Sequence, residues 1–415
     1  MPLKNRSGIT VYFIALFSLL TIVYLPSFFN APRSDWWESL YFFHTIYASL
    51  NPHQWLDILN SDCFGHVTFR PLSHMFLYLQ HLIFGSHFIY MHLINFFLYS
   101  ISLLLLYRFI ITFTRNKKLT FLFISYYAFL FSHFDIVSWT AHSYIILAFC
   151  AFLTGFILYI NYMSNAKAVL LYLIGMFFLL GMLCYEAFIL WPLSIIILTS
   201  ITGIVNKEKL TRFKLTLSYM FVTGGTYSLY ILIFLWTRSF NTYADSWIRT
   251  QFLFQRLCSP NVILNSAQAA SFNIIYNGII VNIIPVISCP LWINPQSSNI
   301  QMAGILMKYG LAIRYSWLAT TILVAAFTGS IIYLKRSRYP DILKAFLFLF
   351  FLLFSFTFML CHLKFFSNRE YLYNFRQFRF QYVPNALVVL MASLFCTHAL
   401  SSIRRSRIFL SLGIV

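Results

Sequence analysis

The chain has 415 residues, 60% of them hydrophobic and 20% aromatic with 48 phenylalanines, and only 9% charged. Apolar runs of about 20 residues recur from end to end, which excludes an ordinary soluble protein and predicts an all-α, polytopic helical membrane protein. The formal charge of +19 would suggest nucleic acid in a soluble chain; here the excess reads as membrane topology, and no nucleic-acid partner is expected.

Taken in chain order, the first apolar run is Ile9 to Phe28, preceded only by Lys4 and Arg6. It has the length of a span and lacks a small-residue cleavage site, so it reads as a retained signal anchor with the N-terminus in the cytoplasm. Further spans are predicted near 88–112, 119–134, 141–162, 168–185, 187–205, 215–236, 315–334, 343–362 and 384–402, about ten in all. This layout gathers Arg108, Arg115, Lys117, Lys118, Lys167, Lys207, Lys209, Arg212, Lys214, Lys335, Arg336, Arg338, Lys344, Arg404, Arg405 and Arg407 into short cytoplasmic loops, as the positive-inside rule requires. The long outer loops are then 29–87, 237–314 and 363–383. Residues 272–291 are apolar, but Asn273, Asn277, Asn282 and Pro285 leave a re-entrant helix as open as a span. A crossing there needs a second before 315, which gives twelve spans. The chain reads as one membrane-embedded unit over 1–415, with no internal repeat.

The acids sort against the bases. Glu208 and Asp341 fall inside; Asp35, Glu38, Asp57, Asp62, Asp135, Glu186, Asp245 and Glu370 fall at outer ends or outer loops. Asp135 and Glu186 stand in short connections, where an ionisable group facing the bundle is a candidate functional residue. The seven cysteines are scattered without C-x-x-C spacing, and His44, His53, His66 and His74 lack metal-ligand spacing, so neither a disulfide framework nor a metal cluster is expected.

The first outer loop carries short helical patterns, "SLYFFHTIYASL" and "HMFLYLQHLIFG", that look interfacial. Around them stand "RSDWWESLY", "NPHQWLDILNSDCFGHVTFRPL" and "GSHFIYMHLINFFLYS"; later come "FSHFDIVSWTAH", "LLGMLCYEAFILWPL" and "RFQYVPNALVVLMA". This ordered set resembles the type-C (GT-C) membrane glycosyltransferases, particularly the bacterial relatives of the protein O-mannosyltransferases. The matching positions are Asp35, Asn60 with Asp62, Phe69 to Leu72, Gly85, His92 and Asn95. Two departures stand out. Ser34 precedes Asp35 where the family usually has a second acid, and Tyr185 precedes Glu186 where it commonly has Lys.

The resemblance implies transfer of a sugar from a polyprenyl-phosphate donor to an acceptor hydroxyl on the outer face of a bacterial cytoplasmic (inner) membrane. The acceptor is a glycan, a lipid or a protein. A phosphate leaves readily without a general acid, so the reaction needs chiefly one carboxylate to take the acceptor proton, and cations to hold the lipid phosphate. Asp35 is the candidate base. Glu38, one helical turn away, shares a proton with it, holds a divalent metal, or faces water. No cofactor beyond such a metal is implied. Arg70 either binds the donor phosphate or pairs with Asp62 to tie the loop down. Arg376 and Arg379 share a helical face, where they cradle the lipid phosphate with Tyr382 or snorkel from an interfacial segment. The rival functions are a lipid-linked glycan flippase or transporter, an outer-face polymerase or ligase using Arg238, Arg249 and Arg256, and a non-catalytic relative.

Overall fold

The computed structural model describes residues 6–29, 70–130, 133–138, 140–165, 167–202, 207–240, 259–275, 311–336, 340–364 and 382–412. All regular structure among them is helical: α1 (Arg6–Tyr24), α2 (Pro71–Phe84), α3 (Phe88–Thr114), α4 (Lys117–Ala128), α5 (His133–Ser138), α6 (Ser143–Asn165), α7 (Ala168–Cys184), α8 (Ile195–Thr202), α9 (Lys207–Phe240), α10 (Pro260–Ile275), α11 (Leu311–Arg336), α12 (Pro340–Lys364) and α13 (Tyr382–Leu412). Short 3-10 turns follow α1 at Leu25–Phe29 and stand between α7 and α8 at Glu186–Phe188 and Trp191–Ser194. The stretches Thr10–Phe29, Phe88–Thr114, Ser143–Asn165, Leu318–Lys335 and Ile342–Cys361 are long and apolar enough to cross a membrane, the architecture of a helical membrane protein.

The helix ends follow local chemistry. Pro71 occupies the first position of α2, where its missing N–H is no loss, and Arg70 before it is non-helical (φ −125°, ψ 55°). The helix stops at Gly85, whose φ of 56° suits glycine and whose N–H returns to His81 O. Arg115 closes α3 in the left-handed conformation, and the Asn116 side chain accepts from Leu119 N at 3.1 Å to cap α4.

At the centre of the bundle lies the α6–α7 hairpin. Its two helices exchange ring for glycine: a Cβ on Gly181 would collide with the Phe152 ring, and one on Gly155 would come within 2.9 Å of the Phe178 ring. With no side chain at either glycine, the backbones approach closely. Phe152 in turn stacks on Phe188 at 4.7 Å, Phe188 meets Trp191 edge-on at 4.5 Å, and Trp191 Nε1 donates to Leu352 O at 3.1 Å. The hairpin is thereby fixed to α12, whose other faces carry α10, α11 and α13.

Three differences from the sequence-based layout matter. The run 119–134 is not one helix: α4 ends at Ala128, and α5 starts again at His133. The run 187–205 opens as 3-10 turns before α8, because Pro192 and the Ser194 hydroxyl, bonded to Trp191 O, disfavour α-helix there. The expected outer loop 237–314 contains α10, packed on α11 and α12, with the small residues Ala269 and Ala270 buried against Cys361, Phe354 and Phe358 of α12. The segment 276–300, with most of the candidate re-entrant stretch, lies outside the described residues, as does the first interfacial pattern at 39–50.

Gly181→Ala should force the buried Phe152 ring from its place against Phe188 and Trp191 and destabilise the protein by ~1–3 kcal/mol. Gly224→Ala, in the interior of α9, where an added Cβ meets nothing within 4 Å, should raise stability by ~0.5–1 kcal/mol. Thermal unfolding in detergent compares the two, and equal melting points would refute the packing argument.

Candidate functional site

Arg70 stands at the start of α2 and Glu186 just past the end of α7, and the structure joins them. Nε donates to Glu186 Oε2 at 2.6 Å and Nη2 to Oε1 at 2.5 Å, a two-point fork. Nη1 donates to the Tyr144 hydroxyl at 2.8 Å. The guanidinium lies between two rings, 4.5 Å from the centre of Tyr185 and 5.1 Å from that of Tyr144, where it gains cation–π attraction. The Arg70 and Glu186 side chains are only 15% and 11% exposed.

Burial opposes the charge on Arg70. The Glu186 carboxylate, the Tyr144 hydroxyl and the Tyr185 ring outweigh that cost, and its pKa stands above the ordinary arginine value. Since Arg70 only donates, the Tyr144 oxygen accepts from it, and the same hydroxyl lies 3.2 Å from His142 Nδ1. These contacts link Arg70, Tyr144 and His142 in one polar chain.

The connection is reinforced by the backbone. Ser73 Oγ donates to Cys184 O at 2.8 Å, which ties the first turn of α2 to the carbonyl exposed at the end of α7. The carbonyls at the ends of α4 and α5 are answered in the same manner from α3. Asn95 Nδ2 donates to Ile136 O at 2.8 Å and Val137 O at 2.7 Å, and the Tyr99 hydroxyl donates to Ala128 O at 2.8 Å. Tyr99 also meets His133 Nδ1 at 3.2 Å. Tyr127 donates to Tyr382 O at 2.9 Å, and the Tyr382 hydroxyl bonds Ser102.

Of the residues singled out in the sequence, Arg70 and Glu186 thus meet directly, although Asp62 was the partner expected for Arg70. Tyr382 is fully buried, and its hydroxyl engages Ser102 in the core rather than standing open to a lipid phosphate. Asp135 lies on α5, with its side chain outside the description. Asp35, Glu38, Asp62, Arg376 and Arg379 also lie outside the described residues. No three His, Cys, Asp or Glu side chains cluster among the described residues. Sequence reasoning missed Tyr144, His142 and Ser73, which carry no motif, and it read Tyr185 only as a departure where the fold makes it a platform for Arg70.

Comparison with known proteins finds no relative: no family model matches the chain, and no curated protein or solved structure is similar to it.

Removing one partner of a buried ion pair leaves an uncompensated charge, at about 3–5 kcal/mol, whereas replacing both by apolar groups is far milder. Glu186→Gln and Arg70→Met should each destabilise the protein on that scale, and the double variant Arg70→Met/Glu186→Leu should recover most of the loss. Denaturation of the four proteins closes the cycle, and additive losses would show that the two residues act independently.

Proposed function

We propose that the protein is a GT-C-type glycosyltransferase of about ten spans in a bacterial cytoplasmic membrane. It moves a sugar from a polyprenyl-phosphate donor to an acceptor hydroxyl at the outer face, with Asp35 as the base. One observation carries this reading. The segments on which the resemblance rests are far apart in the chain, yet among the described residues they meet in pairs: Arg70 and Ser73 bond Glu186 and Cys184, Asn95 bonds Ile136 and Val137, and the Tyr382 ring lies 5.2 Å from that of His133.

In this reading Asp35 accepts the acceptor's proton as the sugar's bond to the phosphate oxygen breaks and the lipid phosphate departs as an anion. Glu186 holds Arg70 in a fixed plane. The guanidinium has five N–H donors; Glu186 takes two and Tyr144 one. One N–H on each terminal nitrogen remains to donate to a phosphate oxygen. Arg376 and Arg379 supply further positive charge. A divalent metal at Asp35 and Glu38 would add charge stabilisation. The acceptor is a glycan, a lipid or a protein.

Transport of a lipid-linked glycan has an observation of its own. Broken helices facing buried polar groups are how many transporters build their sites, and the chain breaks at 128–133 and 185–195. Reconstitution separates the two readings. With polyprenyl-phosphate sugars supplied as donors, the wild type should transfer sugar to an acceptor, and Asp35→Asn should lower the rate by about 100-fold or more. Equal rates would remove Asp35 as the base. Lipid-linked glycan crossing the bilayer without sugar transfer would replace the enzyme with a transporter.

A further inference from the structure

The end of the bundle away from Arg70 carries a second Arg–Glu pair. Arg212 bonds Glu208 one turn earlier on α9, and its Nη1 donates to Met163 O at 2.8 Å near the end of α6. Between the two pairs run α6 and α7, which contain no charged residue. Their lengths set the two ends roughly 30 Å apart, the thickness of a bilayer's hydrocarbon core.

α7 and α9 run parallel from this second end. The rings of Tyr172 and Tyr219 lie 5.3 Å apart, and a Cβ on Gly175 would meet Thr223 Oγ1 at 3.3 Å. The same register sets Lys167 level with Lys214. Lys167, Lys207 and Lys214 are exposed, and among the described residues no carboxylate pairs with any of them. Arg212 already neutralises Glu208. Lys167 flanks the start of α7, and Lys207 begins α9, so both add positive charge to the positive ends of helix dipoles. Among the described residues no carboxylate balances this charge. Directly beneath it an apolar face opens: Val169 is 66% exposed, Tyr172 62% and Leu215 46%.

We propose that this rim is a binding site for one anionic phospholipid. Lys167 and Lys214, with Lys207, hold the phosphate of the headgroup, and an acyl chain lies along Val169, Tyr172 and Leu215. Basic groups between membrane helices on the cytoplasmic side, where the sequence layout puts this end, recognise such headgroups by charge. The apolar surface immediately below them favours a lipid over a free anion. This site is separate from the proposed sugar-transfer site and does not rest on it.

The full-length protein, stripped of lipid in detergent, is titrated with short-chain phosphatidylglycerol or phosphatidylcholine, and bound lipid is counted by native mass spectrometry. Phosphatidylglycerol should bind more tightly, and Lys167→Gln/Lys214→Gln should weaken it by about five-fold per lysine. Lys117→Gln/Lys118→Gln removes the same charge elsewhere on this side of the bundle and should leave binding unchanged. Equal affinity of the wild type for both lipids overturns the proposal, as does equal weakening in the two double variants. Glycerol phosphate, the headgroup without its chains, should not compete at matched concentration; if it does, the site takes a free anion and the lipid assignment falls.

Discussion

Inside a bilayer no water answers a backbone carbonyl freed by a broken helix, so the protein itself must answer it. Much of this structure follows from that constraint. Among the described residues α4, α5 and α7 stop in the same half of the bundle, and each end draws in polar side chains from a neighbouring helix. Asn95 and Tyr99 reach from α3 to Ile136, Val137 and Ala128, while Ser73 reaches from α2 to Cys184. Once these groups are buried, they fix which helices lie side by side. The Arg70–Glu186 pair belongs to this arrangement. It is held where α2 begins and α7 has just ended, with its charges turned toward each other and its flat faces against tyrosines.

The long uniform spans were legible in the sequence because their signal is collective. α3, α6 and α12 read as spans from hydropathy alone, and no single residue decides them. The breaks were not legible, because the residues that permit them are ordinary in isolation. Nothing in "YYAFLFSHF" marks the end of a helix until Tyr99 is seen bonding Ala128 O. α10 was missed for the opposite reason. Asn261, Asn265 and Gln268 lower its hydropathy to that of a loop, whereas its small residues let it lie against α12.

The candidate site divides along the same line. Arg70 and Glu186 each stood out, one before a proline and the other as an acid in a short connection, because isolated charges near spans are rare. Their pairing did not, since the two residues are 116 positions apart and only the tertiary fold brings them together. Tyr185 shows the limit most clearly. Compared with a pattern that has Lys at this position, a tyrosine looks like a loss of function. In place, it contributes the electron-rich face on which a cation already present is held.

The two Arg–Glu pairs at opposite ends of the α6–α7 hairpin have one more consequence. Arginines near span ends usually adapt to the local bilayer by stretching toward or away from the interface. Here Arg70 is held by Glu186 and Tyr144, and Arg212 by Glu208 and Met163 O, so neither is free to stretch. The hairpin works as a gauge of set length. In a thicker or thinner membrane it must meet the mismatch by tilting or by deforming the surrounding lipid, and membrane thickness becomes a condition under which the protein keeps its shape.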